Sequence, residues 1–274
     1  MNLHDLENIS SGFKATPKMP VLFLGHGSPM NAIEENQFVQ GFRKAAQEIE
    51  KPNAILCISA HWFTRGTFVT AMDMPKTIHD FGGFPQALFD VQYPAPGSPE
   101  LAHEVAELLT PIVEEDHSWG LDHGAWSVIK HMYPKADIPV IQMSIDYNKP
   151  PQYHFELGKR LSKLREKGIL IIGSGNIVHN LRMVDWKNIN TVGAGWDWAV
   201  EAREKTNNWL LDGNFQNLID YKNHGAALQY AVPTPDHFLP LIYTLGLKEK
   251  TENLQLFNDE LIAGSLSMTS VRIG

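Results

Sequence analysis

Cysteine occurs once, as Cys57, so no disulfide can close within the chain and a reducing compartment suits it. No apolar run approaches the ~18–20 residues that a bilayer-spanning helix needs. The N-terminal stretch MNLHDLENISSGFKATPKMP has no apolar core and no small-residue cleavage pattern, which argues against a signal peptide. These absences make the cytoplasm the expected location. Positive charge is also scarce. Against 31 Asp and Glu stand 23 Lys and Arg, a formal net charge of -8, with no basic run to reverse it locally. Phosphate backbones are repelled on average, so neither nucleic acid nor a membrane is an expected partner. The chain lacks a G-x-S-x-G nucleophile elbow, a G-x-x-x-x-G-K-[ST] phosphate loop and an H-E-x-x-H helix. GSGNIV offers G-x-G without the third glycine of a dinucleotide fingerprint.

What is present is ordinary globular composition, 43% hydrophobic and 20% charged over 274 residues. Three short continuous apolar runs, VLFLG (Val21–Gly25), AILCISA (Ala54–Ala60) and ILIIGSG (Ile169–Gly175), fit strands buried on both faces, as in parallel sheets. Phe68–Met72 and Asp137–Ile145 are further strand candidates. Helical patterns cover Glu34–Lys51, Ser98–Leu109, His154–Lys167, Trp196–Leu211 and Pro233–Leu245, the last with a histidine near its start. Ser98 reads as an N-cap with Pro99 at the first position, and Gly168 as a C-terminal stop. SLSMTSVRI alternates and reads as an antiparallel edge strand. The segment Ile78–Pro99, rich in Pro, Gly and aromatics, is too long for a plain connection and is expected to be functional. The fold class expected is α/β: a single domain over residues 19–274, with a mostly parallel or mixed central sheet flanked by helices. A flexible polar lead over residues 1–18 precedes it.

Histidine is the outlier, at 12 copies. His26 follows VLFLG, His61 follows AILCISA, and His179 follows ILIIG and a short SGNIV turn. Ligands of open α/β sheets bind at the carboxyl ends of the strands, so topology gathers these three imidazoles. Neutral imidazole is the commonest side-chain metal ligand, and a catalytic metal needs about three protein ligands plus an open position. His123 (in GLDHGAW) and His237 (in PTPDHFLP) are further candidates. Their plainer readings are a buried turn histidine and a helix-start residue beside an Asp236 cap. His79, in TIHDFGGFP, either lines a pocket for a flat ring or sits in a surface turn with Asp80. The remaining histidines have only packing or solvated roles by context.

Taken in order, GHGSPM, SAHWFTRG, TIHDFGGFP, YPAPGSP, DHGAW, SGNIVHNLR and PTPDHFLPL resemble the class III extradiol ring-cleaving dioxygenases, the LigB-like superfamily. The pattern is similar to the bacterial 4,5-DOPA-extradiol dioxygenase group, and it runs from about Met19 to the C-terminus. The resemblance implies a non-haem Fe(II) enzyme that opens a catechol, L-DOPA or a relative, beside its diol with O2 to give a semialdehyde. It implies His26, His61 and His237 as metal ligands. His179 would be the acid/base histidine or a fourth ligand, and His123 a pocket histidine that hydrogen-bonds substrate or O2. His79, Trp62 and Arg182 are the substrate-side candidates, with Arg65 and Arg182 able to meet a carboxylate.

One departure stands out. The wider superfamily uses two histidines and a carboxylate, whereas here the third position reads as His237 beside Asp236. Three neutral ligands leave the full +2 charge on the ion and also suit zinc, which exceeds Fe(II) in the usual affinity order. Zn(II) is therefore expected in protein purified in air. The competing functions are a zinc-dependent hydrolase on the same scaffold and a non-enzymatic binding protein. Nothing in the sequence fixes an oligomeric state.

Overall fold

The computed structural model describes residues 16–189 and 191–274. Ten strands lie among them: β1 (Val21–Gly25), β2 (Ala54–Thr64), β3 (Thr67–Thr70), β4 (Val113–Asp116), β5 (Val140–Asp146), β6 (Ile169–Gly175), β7 (Leu254–Phe257), β8 (Leu261–Ile262), β9 (Leu266–Ser267) and β10 (Ser270–Ile273). Eight form one sheet in the order β4-β3-β5-β2-β6-β1-β10-β7, and β8 pairs with β9 apart from it. The four central strands, β5-β2-β6-β1, are parallel. The flanks reverse: β3 is antiparallel to β5, and β10 and β7 extend the other side antiparallel.

The apolar runs explain the middle of this sheet. Every residue of β1, β5 and β6 is buried, because helices cover both faces. Side chains alternate between two apolar clusters. Val21, Phe23, Leu56, Ile58 and Ile171 enter one; Leu22, Leu24, Ile55, Cys57 and Ile172 enter the other. Each such side chain contributes about 1.5–3 kcal/mol on full burial. A one-residue slip of any central strand would exchange its two faces and is strongly resisted.

The helices are α1 (Gln37–Gln47), α2 (Gln86–Phe89), α3 (Pro99–Leu108), α4 (His123–Met132), α5 (Pro151–Arg160), α6 (Asp197–Leu211), α7 (Phe215–Ile219), α8 (Ala226–Ala231) and α9 (Leu239–Gly246). Phe38 and Phe42 of α1 and Trp126 and Ile129 of α4 cover the Leu22 face. Leu101 of α3, Leu157 of α5 and Leu241 and Leu245 of α9 cover the Val21 face. Ser98 caps α3 by accepting from the Leu101 amide at 3.2 Å, as its position predicts.

Several expectations need correction. Asn36 accepts from Phe38 and Val39 and starts α1 at Gln37 rather than Glu34. The pattern over His154–Lys167 divides at Leu161 into α5 and a 3-10 turn, Ser162–Lys167, which Gly168 ends at φ 77. The segment SLSMTSVRI is not an edge: β10 lies between β1 and β7, with β7 outermost, and Leu266–Ser267 belongs to β9. His61 does not follow β2 but lies within it, where the register against β5 shifts between Ile58 and Phe63. His237 precedes α9 instead of opening it. Helices α2, α4, α7 and α8 and strands β4, β7 and β8 were not foreseen. Of the lead over 1–18, residues 1–15 lie outside the described residues, and Lys18 pairs with Glu249 at 2.5 Å. No helix among the described residues is long and apolar enough to cross a membrane.

The turn before α9 lies flush on the carboxyl end of β6. A Cβ at Gly175 would sit 2.1 Å from the His237 carbonyl oxygen, and one at Gly173 2.6 Å from that of Pro240. Only glycine permits this approach of backbone to backbone. Gly175→Ala must push the turn away, so a destabilisation of about 1–3 kcal/mol is expected. Thermal denaturation should show a melting temperature lower by several degrees; one equal to or above that of the parent protein would refute the packing argument.

Candidate active site: a histidine cluster at the sheet's carboxyl edge

His26 leaves β1 with its amide donating to the Gly175 carbonyl at 3.0 Å. Its Nδ1 lies 2.9 Å from the Ser174 hydroxyl oxygen. That hydroxyl donates its one proton to the Gly124 carbonyl at 2.5 Å. Ser174 can then only accept from His26, so the ring proton sits on Nδ1 and Nε2 carries a bare lone pair. His237 is fixed in the same sense: its Nδ1 makes a short contact with the Asp236 carboxylate, which leaves its Nε2 bare. His61 Nε2 lies 3.3 Å from His26 Nε2.

The ring centroids of His26, His61 and His237 stand 5.1, 5.2 and 4.9 Å apart, a near-equilateral triangle. His179 stacks on His237 at 3.5 Å and 7°. His123, the first residue of α4, lies 3.8 Å from His61 and 5.8 Å from His26. The tightest donor groupings cut across the expected triad. Donor atoms of His26, His61 and His123 lie within 4.8 Å of one another, and so do those of His179, Asp236 and His237. All five histidines thus meet at one edge of the sheet.

Burial sets their charge. It pushes His26 well below the usual imidazole range, with His237, His123 and His179 adding to the effect. His61 is depressed likewise, first by burial and then by His123. His179 falls to about 3 through burial and the adjacent His237. These three rings are neutral near pH 7 and keep a lone pair free. Burial alone would raise the Asp236 carboxyl, but the hydrogen bond from His237 outweighs this and holds it at about 2.

A buried polar wall supports the cluster. Asp122 is fully buried and caps α4 by accepting from the Ala125 amide at 3.1 Å. It also accepts from Ser59 at 2.7 Å, and closely from the Gln142 side-chain amide. Burial, then the Asp80 charge, raises its carboxyl. Ser59 in turn accepts the His61 amide at 3.3 Å. A Cβ at Gly124 would lie 2.4 Å from Ser59 Oγ and 2.8 Å from His61 Cδ2, so the glycine of DHGAW makes room for the His61 ring.

The other expected residues are placed differently. His79 donates Nε2 to the Val91 carbonyl at 2.9 Å and sits among Phe81, Phe89 and Trp126. Its neighbour Phe81 reaches the cluster, 5.5 Å from His123. Trp62 is buried and stacks on Trp119 at 5.6 Å, turned to that ring and not to the cluster. Arg182 is exposed and lines a cavity of about 280 Å³ with His179, Asn180, Leu181, Pro233 and Thr234. Arg65 is exposed beyond the end of β2. The sequence reading missed Ser174 and Asp122, and took Asp80 for a turn stabiliser. A signal for Ser174 was there: a lone hydroxyl in a strand otherwise apolar or glycine needs a partner.

The comparisons agree with this architecture. The family described as the catalytic LigB subunit of aromatic ring-opening dioxygenase matches residues 17–266. The 4,5-DOPA dioxygenase extradiol of Escherichia coli is 48% identical over 266 residues, covering 95% of this chain and 96% of that protein. The Beta vulgaris protein of the same name is 36% identical over 257 residues, covering 91% and 94%. A crystal structure of an uncharacterized Escherichia coli K12 protein superposes with a TM-score of 0.80 at 43% identity, covering 93% of this chain and all of that one. With its parallel core, its histidine edge and its likeness along nearly the whole length, the chain belongs to the LigB family of aromatic ring-opening extradiol dioxygenases.

Proposed function

We propose that this dioxygenase opens L-DOPA or a closely related catechol, on a metal held by His26, His61 and His237. The observation that carries the reading is the triangle of these three imidazoles, with the bare nitrogens of His26 and His237 fixed by the acceptors behind them. Neutral nitrogen donors, buried and oriented by a serine and a carboxylate, fit a divalent transition metal. Fe(II) is the ion proposed for catalysis, and Zn(II) the ion that competes for the same donors. When bound, iron supplies a Lewis acid for the catechol oxygens and the redox-active centre that triplet O2 requires.

The remaining groups act on substrate and protons. His179 lines the Arg182 cavity beside His237, and we assign it the acid/base role toward the catechol hydroxyls. His123 stands beside His61 at the start of α4, with Phe81 next to it as the proposed apolar wall for the ring. A histidine counted as a fourth ligand would be His179, through its stack on His237. Arg182 has no carboxylate partner among the described residues, and we assign it the carboxylate of an amino-acid catechol. His79 supports that wall from behind Phe81. No observation favours the zinc hydrolase. The cytoplasm is the proposed location, consistent with the single buried thiol of Cys57.

Anaerobic loading with Fe(II), then L-DOPA and isotopically labelled O2, is expected to give a yellow semialdehyde carrying both oxygen atoms. No such product from any of several catechols would refute the assignment. For Arg182→Leu, steady-state kinetics should show the KM for L-DOPA raised roughly 10–100-fold, as loss of a charged hydrogen-bonded pair implies. A catechol without a carboxylate should be turned over as before. Equal losses on both substrates would remove Arg182 from carboxylate recognition.

A further inference from the structure

Asp80 lies in the Pro/Gly-rich segment before α2, and its two oxygens reach two different imidazoles. Oδ2 is 3.3 Å from His61 Nδ1, and Oδ1 is 3.0 Å from His123 Nδ1. Oδ1 also accepts the His123 backbone amide at 2.9 Å. Burial alone would raise this carboxyl, but the hydrogen bonds from His123 outweigh it and hold it below the ordinary carboxylate range. An ionised carboxylate is an acceptor only. A bare ring nitrogen at either distance would set lone pair against lone pair, so each Nδ1 must carry a proton. The His123 contact is bent, its Nδ1 lacking a well-aligned acceptor, yet the same repulsion excludes a bare nitrogen there. A neutral imidazole has one ring proton, and that proton is now spent on both rings.

We propose that Asp80 is a positioning residue that fixes the tautomers of His61 and His123 together, turning a bare Nε2 of His61 toward the metal and a bare Nε2 of His123 toward substrate. The inference rests on the metal reading above. The Nε2 atoms of His26 and His61 face each other at 3.3 Å. Both nitrogens are then bare, and two facing lone pairs at that distance are relieved by a cation between them. Through Asp80, the segment that brings His79 and Phe81 to the site is tied to the two rings it flanks.

The carboxamide analogue separates this role from simple packing. Asp80→Asn keeps size and one acceptor oxygen but replaces the other with an NH2 donor. The oxygen stays where it serves two N–H groups, at the His123 amide and ring, so the donor faces His61 Nδ1. His61 must then move its proton to Nε2 and lose the lone pair aimed at the metal. Long-range nitrogen-15 NMR of zinc-free protein should show Nδ1–H on both rings in the parent, and Nε2–H on His61 in Asp80→Asn. Zinc titration should show affinity lowered roughly 10–100-fold by the substitution, with the metal-free melting temperature little changed. Nε2–H on either ring of the parent protein would overturn the proposal, and that spectrum decides even if the variant fails to fold. Zinc affinity in Asp80→Asn within about threefold of the parent would overturn it too. A parent protein that binds no zinc, cobalt or iron would instead refute the metal reading, while the tautomers would still be read from its spectrum.

Discussion

The site depends on the parallel pairing of β1, β6 and β2 in one register. Gly25 sits opposite Gly175, and Ser174 lies opposite both Leu24 and Ser59. Each strand ends on the same edge and delivers part of the cluster. β1 delivers His26, β6 delivers Ser174 and the surface on which His237 rests, and β2 delivers Ser59 and His61. A slip of one residue would point Ser174 away from His26 and bury a different set of apolar groups. The hydrophobic alternation that stabilises the sheet therefore also fixes the positions of the imidazoles, and no separate device is needed to align them.

Charge is distributed with similar economy. The rings at the centre are neutral because burial disfavours imidazolium. The negative groups stand one layer back, Asp80 behind His61 and His123 and Asp236 behind His237. A proposed ligand set without a carboxylate thus has carboxylates oriented toward its ring N–H groups, the arrangement that raises ligand basicity. It leaves a divalent ion its full charge toward a catecholate while balancing that charge at slightly longer range. Asp122, further in, is spent on holding the start of α4 and the Ser59 hydroxyl.

Much of this was legible in the residues. The strands Val21–Gly25 and Ile169–Gly175 read correctly to their ends, because continuous apolar runs between turn signals leave few alternatives. The helix started by Ser98 did too, from cap chemistry. What failed was local. The apolar run of β2 stops at Ala60, yet the strand continues to Thr64 through a register shift that no periodicity reveals. DHGAW looked like loop because its histidine and glycine mask a helix whose cap, Asp122, is visible only once Ala125 is seen to donate to it. Strand-end position pointed to His26, His61 and His179 and local context to His123 and His237, the family resemblance gave them roles, and the fold brings all five together. The resemblance includes Ser174, Asp80 and Asp122 in its motifs but assigns them no role, because their roles arise from contacts between segments far apart in the chain. Trp62, one residue from His61, faces Trp119 and illustrates how adjacency in a strand separates side chains onto opposite faces.

The proposed chemistry requires His26, His61 and His237 to converge on one ion. X-ray absorption at the metal edge of zinc-loaded protein tests it most directly. The expected result is a shell of nitrogen and oxygen at roughly 2.0–2.1 Å with the outer scattering of about three imidazoles, one of which disappears in His237→Ala. A shell without imidazole scattering, or one unchanged by that substitution, would contradict it.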